Sequence, residues 1–147
     1  SWGSCGLAKK RRADMLKTTC IHPEIMDVLS RCGHGSKILI ADGNYPLAEK
    51  TGNAAKVYLG LRLGCPTVTE VLEALCDVVP FERAEVMTRE DGEEPEIFSD
   101  FRRRLNDLPL EGHSRQAFYD ACDGIALAIS TGEQRTYANI LLTIGCV

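Results

Sequence analysis

A histidine between two glycines, Gly33-His34-Gly35, stands just ahead of the apolar run Ile38-Leu39-Ile40-Ala41 and an aspartate, Asp42. An imidazole changes charge between about pH 5 and 8, so it can take up or release a proton near neutrality. A carboxylate can orient a hydroxyl or an imidazole. Both residues fall on connecting backbone, where a scaffold presents chemistry and does not bury it. Arg115 opens Ser114-Arg115-Gln116-Ala117-Phe118-Tyr119. A cation there is poorly placed against a helix dipole, which hints at a second job on a hydroxyl or carboxylate. In Thr136-Tyr137-Ala138-Asn139, the tyrosine ring can pack on a sugar C–H face and the carboxamide can both donate and accept. Plainer readings stand beside these: a turn aspartate in Asp42-Gly43, a solvated arginine, loop residues satisfying their own backbone.

Other chemistries find little support. His22 reads as a residue leading into a helix and His113 as a surface residue, and the three histidines lack metal-ligand spacing. Gly33-x-Gly35 follows a helix and lacks a third glycine, so it is no dinucleotide fingerprint. The seven cysteines are scattered with no C-x-x-C pair, which fits small packing residues in a reducing compartment and argues against structural zinc.

The elements that must position these residues follow from pattern. Pro23 to Cys32 reads as a helix with Ile25, Val28, Leu29 and Cys32 on one face, closed by a left-handed Gly33. Lys37 to Ala41 reads as a buried strand, and Lys56 to Leu63 as a second. Thr67 and Glu70 form a capping box for a helix whose apolar face is Val68, Val71, Leu72 and Leu75. A strand is expected over Arg83 to Thr88, a loop over Arg89 to Glu96, and a third helix after Pro95 with Arg102-Arg103-Arg104 facing water. Ser114 caps a fourth helix carrying Phe118, Ala121 and Cys122. Ile125 to Thr131 reads as a strand covered on both faces, and Ile140 to Ile144 as a closing strand. Strands alternating with helices call for a mostly parallel sheet covered on both faces, with ligands outside the strand ends.

The chain has 147 residues, enough for one domain with a core of its own. Lys+Arg number 17 against Asp+Glu 21, a balance that disfavours a nucleic-acid binder. No apolar run is long enough to cross a bilayer. Residues 1–14, with Lys9-Lys10-Arg11-Arg12, read as a tag or disordered extension and not a signal peptide. The domain is expected over 15–147.

Taken in order, several segments resemble the L-fucose mutarotase / D-ribose pyranase family. They are Pro23-Glu24 with its helix, Gly33-His34-Gly35, Ile40-Ala41-Asp42, Arg115-x-Ala117-Phe118-Tyr119, Thr131-Gly132-Glu133, and Tyr137-Ala138-Asn139-Ile140-Leu141-Leu142 with Gly145 after it. The resemblance implies an α/β protein, three-layer α/β/α with a mixed, mostly parallel sheet. It implies a cytoplasmic isomerase acting on free monosaccharides without cofactor or metal, assembled as pentameric rings stacked into decamers, with sites near subunit contacts. His34 matches the family's proton donor. Asp42, Arg115, Tyr137, Ala138 and Asn139 match its sugar-binding positions, and Tyr119 is carried over with them. Leu61 to Leu75 is more like the ribose branch. Gly33-His34-Gly35 and Arg115 to Tyr119 are more like the fucose branch, the ribose branch tending to have histidine where Arg115 stands. The expected reaction is mutarotation of L-fucose through the open chain. Pyranose–furanose interconversion of D-ribose and a non-catalytic sugar-binding accessory of an uptake system are the alternatives.

Overall fold

The computed structural model describes residues 17–147, so the expected N-terminal extension lies outside the described residues. Four helices and six strands follow in the order α1 (Pro23–Arg31), β1 (Lys37–Ala41), β2 (Ala55–Tyr58), α2 (Val68–Cys76), β3 (Phe81–Met87), α3 (Ile97–Arg104), β4 (Leu110–His113), α4 (Arg115–Ala121), β5 (Leu127–Ser130) and β6 (Ile140–Ile144). The strands form one sheet in the order β2-β5-β1-β6-β3-β4. Neighbours β2 and β5, β5 and β1, and β3 and β4 run parallel, while β6 runs antiparallel to both β1 and β3. The sheet is therefore mixed and mostly parallel, with one reversed strand at its centre.

Side chains alternate across the sheet. Ile38 and Ile40 face the core under α1, α2 and α3, together with Leu72, Phe101 and Ile129. Leu39 and Ala41 face the other way, against Phe118 of α4, Cys122 at its C-terminal cap, and Tyr45 and Leu47 of the loop after β1. Among the described residues, helices thus cover both faces, three on one and one on the other. The six described cysteines are free, and Cys20 and Cys122 are buried as packing groups.

Local signals explain most boundaries. The Nδ1 of His22 accepts from the Ile25 N–H at 3.4 Å, capping α1 ahead of Pro23. Gly33 does not take the left-handed conformation expected of it. Gly35 does, at φ +90°, because Gly33 to Ser36 form a turn closed by the Ser36 N–H on the Gly33 carbonyl at 3.0 Å. A positive φ at the third position is what a type II turn requires, and it leaves His34 at the exposed second position. The Thr67–Glu70 capping box is present, with both reciprocal bonds made.

Glu133 reinforces that helix start from far away. Its Oε1 accepts from the Val68 N–H at 3.1 Å, one of the donors a helix N-terminus leaves unpaired. The Arg135 guanidinium grips the same carboxylate at 3.1 and 3.3 Å. Burial alone would raise the Glu133 carboxyl, but Arg135 and the Val68 and Arg135 N–H groups outweigh it and hold it below the ordinary carboxylate range. Glu133→Gln is expected to cost about 1.5–3 kcal/mol near neutral pH, the range for hydrogen bonds to a charged group. Because the folded carboxyl titrates below its ordinary 4.5, its stabilisation is full above that value and is lost as pH falls through the folded one. Urea midpoints of wild type and variant should therefore converge on acidification. A gap of equal size at neutral and acidic pH would show that the charge contributes nothing.

Two further expectations are corrected. The strand expected over Lys56 to Leu63 ends at Tyr58, and Leu61 and Leu63 are 79% and 81% exposed. Beyond Tyr58 the backbone at Gly60 passes close to the Thr131 carbonyl, then doubles back so that the Leu61 N–H bonds the Cys65 carbonyl at 2.9 Å. β4 was not expected, and His113 at its end is half-buried rather than a surface residue. The His113 Nε2 lies 2.8 Å from Oε1 of Glu85, a carboxylate that is 2% exposed and also takes Lys37 Nζ at 3.3 Å.

Candidate functional site

Because β6 runs antiparallel beside β1, with Ile40 opposite Ile140, the residues leaving β1 meet those entering β6. Asp42 and Tyr137-Ala138-Asn139 are brought together there by a reciprocal clamp. The Asp42 N–H donates to Asn139 Oδ1 at 2.8 Å, and Asp42 Oδ2 accepts from the Ala138 N–H at 3.2 Å. Asp42 Oδ1 takes the Asn44 N–H at 3.0 Å, so the turn after β1 closes on the same carboxylate. With its oxygen committed, Asn139 keeps its Nδ2 as the donor available to the cleft described below. Burial pushes the Asp42 carboxyl above the ordinary carboxylate range. The N–H groups of Asn44, Ala138 and Tyr45 oppose that push, and the nearby Glu133 charge adds to it.

Tyr137 holds φ +58°, an uncommon left-handed conformation for a bulky residue. Such a conformation persists where the surroundings over-determine it. Here the Arg115 guanidinium donates to the Tyr137 hydroxyl at 3.1 Å and lies 5.6 Å from the ring centroid. Arg115 is the first residue of α4, behind the Ser114 cap, and its second nitrogen is 3.5 Å from the Tyr119 hydroxyl one turn on. Contacts with these two hydroxyls offset its unfavourable place at a helix N-terminus and raise its pKa, the Tyr119 bond most of all. The Tyr119 ring meets Tyr45 edge-on at 5.5 Å.

These groups surround a cleft of about 220 Å³ lined by Asp42, Arg115, Tyr119, Tyr137 and Asn139. Ala138 is fully buried and contributes its N–H to Asp42 rather than a side chain to the cleft. Every sugar-binding position expected from the sequence is therefore gathered at one rim of the sheet.

His34 is not among them. It precedes β1, whereas Asp42 follows it, and at about 3.3 Å per strand residue the two stand on opposite rims, roughly 20 Å apart. At its own rim the His34 Nε2 lies 2.9 Å from Oε1 of Glu82, with both side chains about half exposed. Glu82 went unnoticed in the sequence because it precedes the expected strand and its partner is distant in the chain. One signal was present: Gly145, where an added Cβ would lie 3.1 Å from the Glu82 Cβ and 3.3 Å from its Oε1. A larger residue there would displace the carboxylate that meets His34. Among the described residues, no three His, Cys, Asp or Glu side chains gather to hold a metal ion, and no helix is long and apolar enough to cross a membrane.

The model of the RbsD / FucU transport protein family matches residues 15–147. The chain belongs to this family. Among its relatives, the D-ribose pyranase of Clostridium perfringens is 27% identical over 133 residues, which cover 90% of this chain and 99% of that protein. The fucose mutarotase of Streptococcus pneumoniae, solved in complex with L-fucose, superposes with a TM-score of 0.77 at 26% identity, covering 90% of this chain and 99% of that one. Bacillus subtilis RbsD, solved with D-ribose, shares the fold with a TM-score of 0.81 at 23% identity, covering 90% and 99% of the two chains. The family thus includes enzymes that interconvert sugar ring forms, by both pyranase and mutarotase activity.

Proposed function

We propose that this chain is a cytoplasmic monosaccharide mutarotase, with L-fucose as its sugar, working by acid–base opening of the ring. The observation that carries the reading is the polar rim: a buried carboxyl with a raised pKa, a carboxamide donor and an arginine-polarised tyrosine around one cleft. Asp42 and Asn139 take ring hydroxyls. Because the Tyr137 hydroxyl already accepts from Arg115, its own proton is free to be donated to a sugar oxygen. In the reaction a base removes the proton of the anomeric hydroxyl while an acid protonates the ring oxygen. The bond between the ring oxygen and the anomeric carbon then breaks, leaving the anomeric oxygen as the carbonyl of an aldehyde and the ring oxygen as a hydroxyl. Rotation about the adjoining carbon–carbon bond and reclosure, with both protons returned, gives the other anomer.

His34 is the proton donor in this scheme, and it enters from a second copy of the chain. The distance along β1 supports that arrangement, since one chain cannot bring His34 and Asp42 to one hemiacetal but adjacent copies in a ring can. A ring is accordingly the working form, and the family resemblance makes it pentameric and stacked as a decamer. The second reading is D-ribose pyranase activity, favoured by the D-ribose pyranase among the relatives.

Saturation-transfer NMR with L-fucose and D-ribose tests both. Faster α–β exchange of L-fucose in the presence of protein is the expected result. Faster exchange between pyranose and furanose forms of D-ribose alone would move the assignment to the second reading. Calorimetric binding with no acceleration of either sugar would replace both with a non-catalytic accessory.

A further inference from the structure

The cleft is not polar all round. Met87, the last residue of β3, lines it and is 2% exposed, and Tyr45 and Pro46 lie beside it. Alternation along β3 explains the placement. Ala84 and Val86 enter the core under α1 to α3, so Met87 must face the α4 side. Its register partner is His113, which immediately precedes the Ser114 cap of α4. Register thereby places Met87 between His113, at the entry to α4, and Asn139, the residue before β6. Tyr45 is 9% exposed, and its ring is packed edge-on by Phe118 and Tyr119.

A sugar hydroxyl set against a thioether and a tyrosine ring finds no partner there and is disfavoured. A methyl group is suited to the same place. Resting on the reading of this cleft as a monosaccharide site, we propose that Met87, with Tyr45 and Pro46, receives an alkyl substituent of the sugar ring and so sets a preference for a 6-deoxyhexose. Met87 is on this account a specificity-determining residue; it moves no proton.

Three sugars with the same ring stereochemistry isolate the effect: L-fucose carries a methyl, L-galactose a hydroxymethyl and D-arabinose only hydrogen at that carbon. An apolar pocket discriminates by about 10–200-fold for one added methyl or methylene. Anomer exchange measured below saturation should therefore favour L-fucose over D-arabinose within that range, with L-galactose well below L-fucose. Met87→Gln, close in shape but polar, should lower the L-fucose to D-arabinose ratio by about tenfold or more. Met87→Leu, close in volume and apolar, should keep the ratio. The ratio is the readout because general damage to the fold slows all sugars alike. A wild-type ratio near one, or a ratio unmoved by Met87→Gln, overturns the role of Met87 while leaving the mutarotase reading intact. Failure of the wild type to exchange any of the three, or D-ribose, overturns both.

Discussion

Replacing His34 with alanine should slow anomer exchange by about 10²–10⁴-fold, the usual contribution of a positioned acid or base. Asp42→Asn should cause a loss of similar order, because the clamp between β1 and β6 then carries an amide where both oxygens now accept backbone N–H groups. The informative measurement is the mixture. If His34 of one copy and Asp42 of the next serve one site, assemblies formed from both dead variants contain sites in which each half is intact. Random assortment makes about a quarter of all sites whole in a closed ring of identical contacts. Activity should return toward that fraction when the variants are unfolded and reassembled together, and not when each is reassembled alone. A mixture no more active than its components would remove the cross-chain site, and a fully active His34→Ala protein would remove His34 from the chemistry.

Phe118→Ala is expected to destabilise the fold by about 3–5 kcal/mol, the range for emptying a buried phenyl position. Phe118 is fully buried and holds α4 to the sheet, with Tyr45 meeting it edge-on at 6.1 Å. α4 has only seven residues, too few to persist without tertiary packing. Its other buried anchor, Cys122, is a small packing group whose thiol burial pushes up to about 11, so it stays protonated at neutral pH. Loss of the phenyl group frees the start of α4 as well, and with it Arg115 and Tyr119. Exchange activity should therefore fall at temperatures where the variant is still folded. Urea denaturation gives the stability change, and a loss under about 1 kcal/mol would show that the loop after β1, not α4, closes this face.

Elements with local signals were legible in the sequence. The Thr67–Glu70 box marks α2 because both of its bonds lie within one turn. β1, β5 and β6 stand out because strands buried on both faces are continuously apolar. β4 escaped notice since Leu110-Glu111-Gly112-His113 shows neither alternation nor an apolar run. It is held by pairing with β3 and by the Glu85 carboxylate under His113, both long-range. Leu61 and Leu63 misled in the opposite direction: their apolarity suggested a strand, yet the chain doubles back at Cys65 and leaves both exposed. At the site, the chemistry of Asp42, Arg115, Tyr137 and Asn139 was readable residue by residue. Their convergence came only through the family resemblance and not from pattern, because it depends on β6 lying between β1 and β3. The same insertion sets Glu82 against His34, 48 residues apart in the chain.

That central place of β6 has a consequence for biosynthesis. Until Ile140 to Ile144 have left the ribosome, the remaining strands can pair only as two separate pieces, β2-β5-β1 and β3-β4, each ending in a bare strand edge. Such edges recruit other chains. The nascent protein is therefore most exposed to self-association until β6 emerges, and a message that stops before it yields an aggregating fragment rather than a weakened fold.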